Sequence, residues 1–244
     1  MAHTFVTPVG RLVQGNPFEK ITTDMYGKPL TTKSNDPTQQ YFIAVAFKKD
    51  DPGFDILKSI FTEAAREGFP KLFAAGDNCS ARNFSWKIVD GDGIDSNGRP
   101  NDEKPGFADH WVVRFSTTFE PRCFRAGKYL PSEQLHGPND IPRGYYVRVA
   151  GSAKANGDPS RPGIFVNFSM VELASVGDII ECGPSAEEVF GNGEPRKVEM
   201  PEAAVIPPPN HKFLMTEKAG KFSYQDFIDQ GWTDEQLKAE GYIK

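Results

Sequence analysis

Between Trp111 and Arg161, eight basic side chains (Arg114, Arg122, Arg125, Lys128, Arg143, Arg148, Lys154 and Arg161) stand against four acids (Glu120, Glu133, Asp140 and Asp158). Trp111, Phe115, Phe119, Phe124, Tyr129, Tyr145 and Tyr146 are interleaved with them. Cations along a groove meet phosphates and flat rings stack on bases, so this combination suits unpaired nucleic acid. The alternative is a strand–loop–strand with a solvated face and aromatics turned into a core. The chain as a whole carries a formal charge of -5. A positive stretch still binds phosphate on an acidic molecule when the acids lie elsewhere.

Other chemistries find little support. Asp90-Gly91-Asp92-Gly93-Ile94-Asp95 invites comparison with a calcium loop, but Ile94, Asp95 and Asn101 stand where such a loop needs an oxygen ligand, a glycine and a glutamate. The acids from Asp90 to Glu103 share one turn-rich loop without a histidine, which reads as a solvated loop rather than a two-metal nuclease site. No nucleophile elbow, phosphate-cradling loop or paired-cysteine motif is present, so neither a catalytic residue, a metal nor a cofactor is expected. Cys79, Cys123 and Cys182 stand far apart and odd in number, which suits a reducing compartment. With no long apolar run and no leader, the expectation is a soluble cytoplasmic protein.

The elements that must position these groups are mostly strands. Tyr41, Ile43, Val45 and Phe47 alternate over Gln40–Lys49, and Trp111, Val113 and Phe115 over His110–Thr117. Residues 5–14 read as one strand with Pro8 near its edge or at a bulge, residues 15–39 as a turn-rich connection, and Phe84–Val89 as another alternating strand. Gly144–Ala150 follows, then Gly163–Leu173, whose alternation changes phase near Asn167 as at a bulge. One helix is expected: Asp51 caps it, Pro52 opens it, Phe54, Leu57, Phe61 and Ala64 form its apolar stripe, and Gly68 and Pro70 end it. Five or six strands and one capping helix match a variant OB-fold, a five-stranded Greek-key barrel, ahead of a β-sandwich. Residues 1–190 would form this domain, Pro-rich residues 191–221 a linker, and residues 222–244 a flexible acidic aromatic tail. A short helical turn is expected over Ser185–Phe190.

Strand parity sends Tyr146 and Arg148 away from the Tyr145, Val147 and Val149 face, and Lys87 and Arg114 outward on neighbouring segments. An outward ring beside an outward guanidinium is a small platform for a base and its phosphate.

Several pieces stand in order along the chain: Phe84-Ser85-Trp86-Lys87-Ile88 running into Asp90-Gly91-Asp92-Gly93, the Gly98-Arg99-Pro100 turn, His110-Trp111, and Gly144-Tyr145-Tyr146-Val147-Arg148. Gly163-Ile164-Phe165-Val166-Asn167 and Gly183-Pro184-Ser185-Ala186-Glu187-Glu188-Val189-Phe190 complete the series. Over about residues 5–190 the chain resembles a family of tailed-phage proteins related to the T7-type single-stranded DNA-binding proteins. The resemblance implies a variant OB-fold that coats single-stranded DNA in phage replication and recombination, and a mobile acidic C-terminal segment that contacts replication proteins. It supports Tyr146 and Arg148 most directly and adds Phe165 as a second stacking ring. Trp86 and Trp111 fit motif positions, although parity turns both inward. The T7-type tail ends in an acidic run with a terminal aromatic, whereas this chain ends Gly241-Tyr242-Ile243-Lys244.

The expected reading is a non-enzymatic single-stranded DNA-binding protein of the phage-infected cytoplasm. Lys87, Arg114, Arg122, Arg125, Lys128, Arg148 and Lys154 would meet phosphates, and Tyr129, Tyr146 and Phe165 would stack on bases. The alternatives are a protein-interaction scaffold of a phage replisome or virion and, more distantly, a metal-dependent nuclease.

Overall fold

The computed structural model describes residues 1–24, 27–32, 35–74, 79–181, 183, 189 and 215–244. The chain divides into two compact units, Met1–Ser185 and Ala186–Lys244. The first is an all-β domain with one α-helix among its described residues.

Its strands are β1 (His3–Val6), β2 (Gly10–Ile21), β3 (Gln40–Lys48), β4 (Ile88–Asp90), β5 (His110–Thr117), β6 (Arg122–Arg125), β7 (Tyr146–Ala155) and β8 (Ile164–Ser175). They form one sheet in the order β4-β5-β3-β2-β7-β8-β6, with β1 added to β7. Every pairing is antiparallel except β6 with β8. Ser85 also bridges Gly163, so the segment before β4 reaches the start of β8 and draws the sheet round on itself.

Alternation decides what the sheet encloses. Tyr41, Ile43, Val45 and Phe47 of β3 meet Val113 and Phe115 of β5, Val147 and Val149 of β7, and Ile164, Val166 and Phe168 of β8 in the main core. The opposite face of β3 is also covered: Ala44 and Ala46 lie under Val13, Phe107, Val112 and Ile180. The loop from Gly91 to Asp109, expected to be solvated, is therefore anchored by the fully buried Phe107 and by Asn101, whose Nδ2 donates to the Asp90 carbonyl at 3.0 Å.

Helix α1 (Pro52–Gly68) forms as its sequence dictates. Asp51 accepts a hydrogen bond from Gly53 N–H at 2.8 Å, and Phe54, Leu57, Phe61, Ala64 and Ala65 are buried. Phe61 meets Phe5 of β1 edge-on at 5.6 Å. Filling the core with a ring this deeply buried stabilises the fold by roughly 3–5 kcal/mol relative to alanine. The helix end lies so close to β7 that a Cβ on Gly68 would stand 2.0 Å from that of Ala155.

The single OB-type sheet with its helix agrees with the expected fold class, but the strands are cut differently. Thr7–Val9 interrupts the first expected strand, because Pro8 has no N–H for a ladder, and β2 then continues to Ile21 through two irregularities. Between them, Gly15 keeps its pairing with Ile43 at a φ of 77°, where a Cβ would lie 2.0 Å from the Phe42 carbonyl oxygen. Phe84–Val89 is not one strand: Ser85 pairs with Gly163, Ile88 pairs with Val113, and Lys87 turns the chain between these partners at φ 61°. β6 lies in a stretch expected to be loop. The phase change in β8 falls at Ser169, the residue left over where Gly151 pairs with Phe168 and Ala150 with Met170.

Within residues 215–244 of the second unit, two short α-helices, α2 (Tyr224–Asp229) and α3 (Asp234–Ala239), each begin with a capping box, Ser223 with Asp226 and Thr233 with Gln236. Met215 pairs with Ile243, while Phe222, Trp232 and Tyr242 gather round Phe227. Residues 215–244 thus fold on themselves, with Leu237 and Ile243 buried. Most of the expected linker and most of the turn over Ser185–Phe190 fall outside the described residues. No helix among the described residues is long and apolar enough to cross a membrane.

Candidate nucleic-acid interface

The outward faces of β5, β1, β7 and β8 border a groove of about 930 Å³. Lys87 and Arg122 supply its cations, Phe119 and Phe165 its rings, and Thr4, Gln40, Ser116, Ser152, Asn167 and Ser169 its hydrogen-bonding groups. Glu120 is the acid among these described lining residues. A second hollow of about 310 Å³ shares Gln40, Lys87 and Ser116 with it and adds Phe42 and Arg114. The two form one continuous surface track.

Strand pairing explains why these groups meet. The Arg114 N–H donates to the Lys87 carbonyl at 2.9 Å, which places the two residues opposite each other. Burial around the Lys87 ammonium and the positive charge of Arg114 lower its pKa, burial being the larger cause. The residue as a whole remains exposed, so it is the charged end that is crowded. A site that disfavours its own positive charge is relieved by an incoming anion. Phe165 points outward between the buried Ile164 and Val166 and is 46% exposed. Lys154 stands directly across from it in the β7–β8 ladder, a position where Cβ atoms are about 4.5–5.5 Å apart.

Phe119, at 82% exposure, is the most open ring among the domain's described residues and is not one of the expected site residues. Its signal in the sequence was its place at the end of an alternating strand, two residues after Thr117. Asn167 and Ser152, paired across β7 and β8, were missed as well.

The other expected residues lie apart from this groove. Tyr129 and Arg148 border a neighbouring hollow of about 380 Å³ that shares Arg122 and includes Val6, Phe124 and Met170. There, Tyr129 OH donates to Glu172 at 2.6 Å and Arg148 Nη1 to the other carboxylate oxygen at 3.4 Å. Arg148 is exposed, as parity requires, but is held by a carboxylate. Tyr146 is also outward, at 38% exposure, yet its ring leans over Gly177, where a Cβ would lie 2.9 Å away. Arg125 and Lys128 are exposed at the turn after β6, joined by a backbone hydrogen bond. Trp86 and Trp111 are half-buried and packed against the core.

The Asp-rich loop is held by lysines, one of them just past the end of β3. Lys49 Nζ lies 2.5 Å from Asp90 and 2.6 Å from Asp92, and these contacts hold both carboxyls below their usual range. Lys104 pairs with Asp95 at 3.2 Å. Burial pushes the Cys123 thiol up to about 12, so at neutral pH it serves packing.

No protein-family model and no curated protein sequence matches the chain. Among solved structures, the single-stranded DNA-binding protein from bacteriophage Enc34 in complex with ssDNA is similar, with a TM-score of 0.51 and 17% identity over 73% of this chain and 90% of that one. Its C-terminal truncation gives a TM-score of 0.51 and 16% identity over 73% and 88%. The likeness to gp2.5, a single-stranded DNA-binding protein encoded by bacteriophage T7, has a TM-score of 0.45 and 12% identity over 80% and 97%. The Enc34 likeness places this sheet and helix in the same fold.

Proposed function

We propose that this chain binds single-stranded DNA without strong sequence preference, by stacking and phosphate contacts rather than catalysis. The observation that carries the reading is the track formed by the groove, with Lys87, Arg122, Phe119 and Phe165, and the adjoining hollow, which adds Arg114. A strand along it would place phosphates at the three cations and at Lys154, and bases on the two phenylalanines. Every base offers a ring face, and the hydroxyl and amide groups beside the rings can serve any base edge, so discrimination is weak. The similar Enc34 protein, solved in complex with ssDNA, supports the same use of the fold here. Coating of single strands in phage replication and recombination, in the host cytoplasm, belongs to this reading, as does contact of the C-terminal unit with replication proteins.

The test is a titration of fluorescent oligo(dT) with the purified protein at several salt concentrations. Affinity should fall with a log–log slope of about -0.7 for each phosphate neutralised, and a duplex of equal length should bind more weakly. An affinity indifferent to salt, or no binding to oligo(dT), overturns the proposal.

A further inference from the structure

A separate recess of about 520 Å³ opens between α1 and the β4–β5 edge, within the size range of small-ligand pockets. Phe54, Lys58 and Thr62 line it from one stripe of the helix; Trp86, Ile88 and Trp111 face them, with Cys79 beside. Trp111 lies parallel to Phe54, with 6.1 Å between centroids and 8° between planes, which fixes the indole as a wall. Lys58 Nζ stands 6.0 Å from the centre of the same indole.

We infer that this recess receives one nucleobase of the strand lying in the groove. The inference rests on the groove reading and extends it round the sheet edge. Continuity is the first reason: Trp86 and Ile88 border both the recess and the hollow that holds Lys87 and Arg114. The left-handed turn at Lys87 separates Trp86 on one side from a cation on the other, so a single nucleotide could span the ridge with its phosphate at Lys87. The walls are the second reason. Two indoles and a phenyl ring suit a flat heteroaromatic group, and Lys58 suits an anionic tether. Thr62 Oγ1 already donates to the Lys58 carbonyl at 2.9 Å, which leaves it as an acceptor. Every nucleobase carries an N–H donor, so the recess would hold any of them.

Cys79 is a free, half-buried thiol on the recess wall and reports its occupancy directly. In full-length protein carrying Cys182→Ser, saturating oligo(dT) should slow iodoacetamide alkylation of Cys79 about tenfold or more. Thr62→Trp, which fills the recess, should lower oligo(dT) affinity by about 5- to 150-fold, the range for one stacked base, while groove binding persists. Lys58→Ala, an exposed change compatible with folding, should reduce the salt slope by about 0.7. If oligo(dT) binds but leaves Cys79 alkylation unchanged, or if Lys58→Ala and a folded Thr62→Trp both bind like the parent, the inference fails and the groove reading stands. Absence of any oligo(dT) binding removes the groove reading and the inference with it. Protection of Cys79 by an acidic aromatic peptide, but not by oligo(dT), would assign the recess to a protein partner instead.

Discussion

Two regions on the outside of one sheet each combine rings and cations with one acid, Glu120 in the groove and Glu172 in the hollow, and share Arg122. In the groove, Lys87 is crowded chiefly by its own burial and by Arg114, and the rings of Phe119 and Phe165 stand open. In the neighbouring hollow, Glu172 lies between Arg148 and Tyr129 and bonds to both. The same residue types are thus ready for a ligand in one place and already engaged in the other. Composition within a strand does not separate these states, because Glu172 is 24 residues from Arg148 and 43 from Tyr129.

The largest expected effect concerns the open rings. Replacing Phe119 and Phe165 together by alanine should weaken oligo(dT) binding by about 2–6 kcal/mol if their contributions add, with the melting temperature little changed since both are exposed. An equal loss from Tyr129→Ala would erase the distinction between the regions. Next, Lys87→Ala should lower the salt slope by about 0.7, whereas Arg148→Ala should lower it less because its charge is partly spent on Glu172. Protonated Lys87 is the form a phosphate selects, and its pKa is depressed in the free protein. Binding should therefore take up protons and weaken as pH rises in the alkaline range, and Lys87→Arg should flatten that dependence.

Glu172→Gln gives the sharpest contrast: freeing Arg148 should tighten binding and steepen the salt slope by up to about 0.7. Unchanged affinity would show that the hollow lies off the path of the strand. The smallest effect is expected from deleting residues 206–244. The segment is only -1 overall, but its last 23 residues carry five acids against two lysines, so its removal should tighten binding slightly at low salt and less at high salt. Weaker binding by the truncated protein would give that unit a positive part in holding DNA.

Much of the fold was legible because alternation is local. The faces of β3, β5, β7 and β8 and the buried stripe of α1 follow from side-chain periods of two and of three to four. β6 was not legible: its four residues, Arg122–Arg125, acquire strand geometry by pairing in parallel with Met170–Leu173, far along the chain. The break at Lys87 was hidden for the same reason, since its two flanks answer to different partners. At the site, parity sent Lys87, Arg114, Arg148 and Tyr146 outward, but outward is not together. The register of β7 against β8 puts Lys154 beside Phe165, and the turn after β5 exposes Phe119; neither relation is written in any short window.

The left-handed backbone at Lys87 carries a conformational cost of roughly 1–2 kcal/mol that a glycine would largely avoid. Folding and binding therefore pull this position in opposite directions. A glycine there would ease the seam between β8 and β5 while deleting a cation from the track. The molecule keeps a lysine at the left-handed turn where pairing passes from Gly163 to Val113, so an anion seated on that lysine would sit directly on the turn.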